Sequence, residues 1–397
     1  MRRLLAVLAA CVLCGAALLL YLAPSISEEA LLDSYAEKPY WVSASHDISK
    51  SPRAQAAAIQ SRLDQGDNVR VLLGSSELGL AEPLSSHPYH FFNEHNYPID
   101  TISIGSGGFQ SLFHAIEVAA LDELDAVPDR KVALIVSMQW FPGAGCKPEA
   151  FQTSFSWEAF ELLAANGRVS DETKGAIIER ASALGIAESD LNAAAKLGSI
   201  EERTNYAIGR LLSEKERRTG LEASLAGCFT SDELKEGAAF EEPNWDEWLQ
   251  RETEEAAADS TSNEWGIYDA YWKKYTEPWL EEYDPDQYSE PYTDWETPEL
   301  GDFKLFLQVC EETGIEPLVI IAPAKGWYYD ICGYPLESRV MYYDMMRATC
   351  EDFGVRYADF SDRDYDLYFL HDVMHMGCTG WVYVNRVLTD FYLGEAE

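Results

Sequence analysis

Five short apolar runs alternate with stretches of helical periodicity, and this alternation restricts the fold more than any other feature of the chain. Val69 to Leu73, Asp100 to Ile104, Lys131 to Ser137, Pro317 to Ala322 and Val355 to Phe360 read as strands. Helical spacing of apolar residues separates them over Ala54 to Leu63, Leu112 to Leu124, Leu300 to Thr313 and Ser338 to Phe353, and a final helix runs to about Leu393. Runs this rich in Val, Ile and Leu are buried on both faces, and strands alternating with helices form a parallel sheet covered on both sides. The expected class is therefore α/β, a five-stranded parallel sheet flanked by helices.

Chemistry in such a sheet belongs at the carboxyl ends of the strands, where ligands bind. The first strand stops at Gly74-Ser75-Ser76-Glu77-Leu78, which delivers Ser76 to that edge as a candidate nucleophile. Read alone, the turn is as well explained by serine hydroxyls satisfying nearby backbone. The second strand runs into Gly105-Ser106-Gly107-Gly108-Phe109-Gln110-Ser111 and then a helix, so unpaired amides at Gly107 or Gly108 could hold a phosphate or an oxyanion. The dinucleotide fingerprint is not matched, because the third glycine is absent. The third strand ends at Met138-Gln139-Trp140-Phe141, where the Gln139 amide can donate to developing negative charge. Beyond the fifth strand lies Leu370-His371-Asp372-Val373-Met374-His375-Met376-Gly377. An aspartate three residues before a histidine can orient its ring, so Asp372 and His375 complete, with Ser76, the parts for acyl transfer. The nucleophile elbow of α/β-hydrolases is not present, since Leu78 stands where GxSxG needs glycine.

The rest of the chain bounds where this chemistry happens. Arg2 and Arg3 precede an uncharged run from Leu4 to Ala23, closed by Pro24. Its length and flanking charge fit an N-terminal transmembrane helix with the body outside the membrane. Leu8-Ala9-Ala10-Cys11 resembles a lipoprotein processing site, but a cut there would leave a second apolar segment, so an uncleaved anchor is preferred. Four segments result: an anchor over 1–24, the first part of the catalytic domain over 25–150, a helical and then acidic-aromatic insertion over 151–299, and the second part of the catalytic domain over 300–397. The insertion holds Trp245, Trp248, Trp265, Trp272, Trp279 and Trp295, which suit a glycan or partner groove but are better explained as anchors packing onto the core. His87, His90, Glu94 and His95 form a loop rich in possible ligands whose spacing follows no zinc pattern, so no metal is expected. Six cysteines in the body, from Cys146 to Cys378, could pair or remain buried thiols. A formal charge of −38 excludes a nucleic-acid partner, which needs a basic face.

GSSEL at Gly74 to Leu78, the glycine loop, and DxxH with the trailing GW at Asp372 to Trp381 resemble the SGNH (GDSL-like) hydrolases. SGGFQSLFHA, QWF at Gln139 to Phe141, and DVMHMGCTGW resemble more closely the DltD family of teichoic acid D-alanylation in Gram-positive bacteria. That resemblance spans most of the chain and implies an SGNH-hydrolase-like domain on the outer side of the plasma membrane. It implies D-alanyl transfer to lipoteichoic acid, in company with a membrane O-acyltransferase and a D-alanyl carrier. Ser76 would be the nucleophile, His375 the base and Asp372 its orienter, with Gly107 or Gly108 and Gln139 at the oxyanion. Ser75 and Gln139 stand where GDSL enzymes have aspartate and asparagine, which points away from ordinary hydrolysis and leaves acyl transfer. No cofactor is implied, because both steps exchange one ester for another. A surface esterase or thioesterase and a non-catalytic docking protein for the acyltransferase are the alternatives.

Overall fold

The computed structural model describes residues 12–16, 27–37, 49–78, 84–93, 97–227, 242–288 and 290–394. Its five strands are β1 (Val69–Gly74), β2 (Asp100–Gly105), β3 (Lys131–Val136), β4 (Glu316–Ile321) and β5 (Arg356–Asp359), each within a residue or two of the expected run. All neighbours are parallel, in the order β2-β1-β3-β4-β5. The chain therefore starts inside the sheet, steps out to β2, and crosses back to β3. The reversal opens a crevice at the carboxyl ends of β1 and β3, the position where open α/β sheets take ligands.

Alternate side chains of each strand go to opposite faces, as the two-residue repeat requires. Val69, Val71 and Leu73 of β1, Val132, Leu134 and Val136 of β3, and Val319 and Ile321 of β4 join one core, beneath helices Ser111–Glu123, Trp157–Ala165, Pro298–Thr313 and Leu336–Asp352. Leu72, Ala133, Ile135, Leu318 and Ile320 join the other, beneath helices Trp245–Asp259 and Cys378–Leu393. Each fully buried Val, Leu or Ile contributes about 1.5–3 kcal/mol, so both layers hold the sheet.

The described residues between 151 and 299 are mainly helical. Their longest helix is Ile200–Gly227. The tryptophans act mainly as anchors. Trp295 is buried and its indole N–H donates to Ser338 O at 3.0 Å, Trp245 and Trp248 pack against Phe91, and Trp265 stacks on Trp327. The histidine loop differs from expectation. Pro88–Asn93 is a short helix entered through proline, and His87 is buried edge-on against Trp381 at 4.8 Å, with Nδ1 accepting from the Tyr89 amide. Burial pushes His87 down to about 3, so it packs as a neutral ring. Glu94 and His95 lie outside the described residues. Among those described, Cys146, Cys310, Cys332, Cys350 and Cys378 are buried free thiols. The expected membrane helix falls outside the described residues except at 12–16, and no described helix is long and apolar enough to cross a membrane.

Candidate active site

Ser76 opens a single 3-10 turn, Ser76–Leu78, immediately after β1. Ser75 and Leu78 are buried while Ser76 is exposed, and the Leu78 amide closes the turn on Ser75 O at 3.2 Å. Glu77 folds back beneath it, its Oε1 accepting from the Ser75 amide at 2.6 Å. This is possible because residue 74 is glycine: a Cβ there would stand 2.4 Å from that carboxylate oxygen. The neighbouring strand end is equally tight, since a Cβ on Gly105 would stand 2.2 Å from Gly74 O. Paired glycines let β1 and β2 finish side by side and bring the two loops together. Ser75 Oγ donates to Ser106 O at 3.2 Å, and the Gly107 Cα lies beside Ser76, with 3.9 Å between an added Cβ and the serine Cβ.

The Asp372–His375 segment reaches the same edge from beyond β5. Leu370 and Met376 form an antiparallel bridge, and the His371 amide donates to His375 O at 3.0 Å, which makes the segment a closed loop. Asp372 organises its tip. Oδ1 accepts from the Met374 and His375 amides at 2.8 and 2.7 Å, and Oδ2 bonds His375 Nδ1 at 2.6 Å. His375 Nε2 then lies 2.8 Å from Ser76 Oγ, across 299 residues of sequence. Burial works against the charge on Asp372, but the His375 bond and the amides hold it down at about 2. Burial also works to lower His375; the Asp372 bond and charge, with help from Glu77, outweigh it and raise the imidazole above its ordinary value. A serine, a basic imidazole and a fixed carboxylate in this line can move a proton from the hydroxyl as it attacks an acyl carbon.

The expected donors are placed less evenly. Gly107 lies against Ser76, whereas Gly108, at φ +87°, turns toward Ala150. Gln139 sits in the 3-10 turn Met138–Trp140 after β3, and its Oε1 accepts from Ser137 Oγ at 2.8 Å, which fixes the amide and leaves Nε2 as its donor end.

Several supporting residues were not singled out in the sequence. Glu299, fully buried, accepts from the Ser111 amide at 3.0 Å and caps the helix that follows the glycine loop from 188 residues away. Burial, then Asp302, pushes Glu299 up to about 8. Lys325 is buried with Nζ donating to Leu367 O at 2.7 Å and Leu370 O at 3.2 Å, so it ties the base-bearing loop to the end of β4. Burial pushes it down to about 7, against the charges of Asp372 and Asp366. Asp364 joins the same support, accepting from Arg339 Nε at 2.6 Å and the Ala324 amide at 3.0 Å. His371 stacks on Tyr271 at 4.7 Å and lies 5.8 Å from the His375 ring, and burial pushes it down to about 4. A lone lysine closing the apolar run PLVIIAPAK was the one visible signal; Glu299 offered none.

Glu77 acts from inside the turn that carries Ser76. Replacing it with glutamine keeps an oxygen for the Ser75 amide and removes a charge that favours protonated His375. The acid limb of Ser76 reactivity is expected to move to lower pH, with the plateau rate changed by less than about tenfold. A pH series of acylation rates for the two proteins checks this.

Comparison with known proteins agrees over most of the length. The chain is 26% identical over 349 residues to Protein DltD of Bacillus subtilis (strain 168), covering 85% of this chain and 86% of that protein. It is 27% identical over 345 residues to Protein DltD of Staphylococcus aureus (strain NCTC 8325 / PS 47), covering 85% of each. A third relative, Protein DltD of Lacticaseibacillus rhamnosus, is 20% identical over 335 residues. The sequence model of one family, described as DltD protein, matches residues 45–393, a span that includes all five strands and both halves of the site. The chain belongs to the DltD family.

Proposed function

We propose that this protein acts in D-alanylation of teichoic acid in the cell envelope, as a serine acyltransferase held outside the plasma membrane by its N-terminal apolar run. The observation that carries the reading is the continuous line from Asp372 Oδ2 to His375 Nδ1, 2.6 Å, and from His375 Nε2 to Ser76 Oγ, 2.8 Å, with the serine exposed at the sheet edge. In the first step Ser76 Oγ attacks the D-alanyl carbonyl while its proton passes to His375 Nε2. The donor's leaving group departs with that proton, and the D-alanyl group remains as a serine ester. In the second step a hydroxyl of lipoteichoic acid gives its proton to His375 and takes the acyl group, and Ser76 Oγ is reprotonated as it leaves. Asp372 keeps the ring in one tautomer and stabilises the imidazolium between steps. Gly107, Gly108 and Gln139 are assigned to the oxyanion, with Gly107 best supported by its position beside Ser76. The donor is presented by a D-alanyl carrier and membrane O-acyltransferase, and the domain is SGNH-hydrolase-like, its catalytic part interrupted by the 151–299 insertion.

The test is intact-protein mass spectrometry after exposure to a serine-reactive fluorophosphonate. A single adduct mapping to Ser76 supports the reading. No adduct on folded protein in the presence of membranes from the same organism removes the acyl-enzyme, and the docking function becomes the better account.

A further inference from the structure

Among the described residues, helix Ile200–Gly227 is held through its polar face and its second half. Tyr206 and Arg210 bond Glu161, Arg217 Nη1 bonds Glu158 at 2.8 Å, and Leu221 and Leu225 are buried. Its first half carries a different face outward. Ile200 is 77% exposed and Ile208, Leu211 and Leu212 each 52%, with Leu197, 72% exposed, in the turn just before. Leu197 and Ile200, then Ile208, Leu211 and Leu212, form two apolar groups eight residues apart on one face of the helix, over roughly 18 Å. An apolar face left in water marks a surface that meets something else.

The position of the stripe decides what it meets. The second half of the same helix binds helix Glu28–Glu37: Arg218 Nη2 lies 3.3 Å and Arg217 Nη2 3.6 Å from Glu28, and Tyr35 Oη donates to Leu221 O at 2.8 Å. Helix Glu28–Glu37 begins five residues after Ala23, the last residue of the apolar run. Five residues reach at most about 18 Å, so the Arg217–Arg218 turn is held close to the membrane surface. We propose that the Leu197–Leu212 stripe lies in the headgroup–acyl boundary of the bilayer, as an interfacial helix parallel to the membrane. This rests on the membrane tether in the proposed function. The formal charge of −38 gives no attraction to anionic lipid, so the apolar face carries the contact. The helix connects rigidly to the glycine loop: Arg217 holds Glu158, Glu158 accepts from the Arg53 amide at 2.9 Å, and Ser49 Oγ donates to Gly105 O at 3.3 Å. Seating the helix thus sets the height of Ser76 above the lipid, where a lipid-linked acceptor emerges.

The experiment reconstitutes the full chain into phosphatidylglycerol–phosphatidylcholine vesicles containing a diazirine phospholipid. Vesicles are floated, photolysed and digested, and lipid adducts are mapped by mass spectrometry. Adducts are expected on the 197–212 peptides at both low and high salt. In the Ile208→Asp, Leu211→Asp variant they are expected to fall by about tenfold or more, since each such side chain withdrawn from water is worth over a factor of ten. Flotation, circular dichroism and fluorophosphonate labelling of that variant should be unchanged. Flotation without adducts on 197–212 overturns the interfacial helix and leaves the tether standing. Failure to float overturns the tether and the interfacial helix with it. Protein–protein crosslinks through the stripe would assign it to a second copy and also overturn the proposal.

Discussion

Ser76→Ala is expected to lower D-alanyl transfer by on the order of 10^4-fold or more with the fold intact, because the nucleophile and base act as a unit and losing either forfeits most of the rate. Ser76 is exposed, and the turn is held by Ser75, Glu77 and Leu78, so removal of its hydroxyl leaves the local structure supported. Two measurements check the result: D-alanine ester content of teichoic acid in cells whose sole copy is the variant, and fluorophosphonate labelling of the purified protein. Wild-type ester content with Ser76→Ala would assign the protein to docking. Loss of ester content alongside persistent labelling at another residue would move the nucleophile elsewhere.

Asp372→Asn is the second large effect, expected near 10^4-fold in the turnover step. Asparagine can still accept the Met374 and His375 amides through its oxygen, so the loop tip survives. What changes is the 2.6 Å contact with His375 Nδ1, where a carboxylate that selects the productive tautomer becomes an amide that need not. The pH profile separates this from simple misfolding. His375 must be unprotonated at Nε2 to accept the serine proton. Because Asp372 and Glu77 raise its pKa above that of an ordinary imidazole, wild-type activity is expected to fall as pH drops through that raised value. Removing the aspartate charge moves the limb to lower pH while the plateau drops. A variant whose limb stays in place would show that Asp372 does not set the charge on His375.

The supports behind the site explain why its parts are held so closely. Glu299 caps the helix after the glycine loop, Lys325 holds the carbonyls that precede Asp372, and Arg339 with Asp364 locks the turn between β5 and that loop. Removing one member of a buried ion pair such as Arg339–Asp364 leaves a charge without its partner, which is costly by about 3–5 kcal/mol. These contacts hold the glycine-loop helix and the Asp372–His375 loop from behind.

Which parts were legible in the sequence follows from the range of the interactions. Strand and helix periodicities are local, set by the two-residue and 3.6-residue repeats, so all five strands and their parallel arrangement could be read from residue order. Ser76, Asp372 and His375 were legible as candidates because each sits in a short motif with its own chemistry at a strand end. The short helix Pro88–Asn93 was read as loop because its proline and histidine carry weak propensity, whereas in the fold Tyr89, Phe91 and Phe92 of this helix are buried. The 2.8 Å approach of Ser76 to His375, the cap from Glu299 and the clamp from Lys325 join residues that the chain brings together only once the sheet has formed. Short-range pattern determined the elements and the candidate groups. Distances and protonation depend on burial and on partners up to 299 residues apart, and only the tertiary structure decided those.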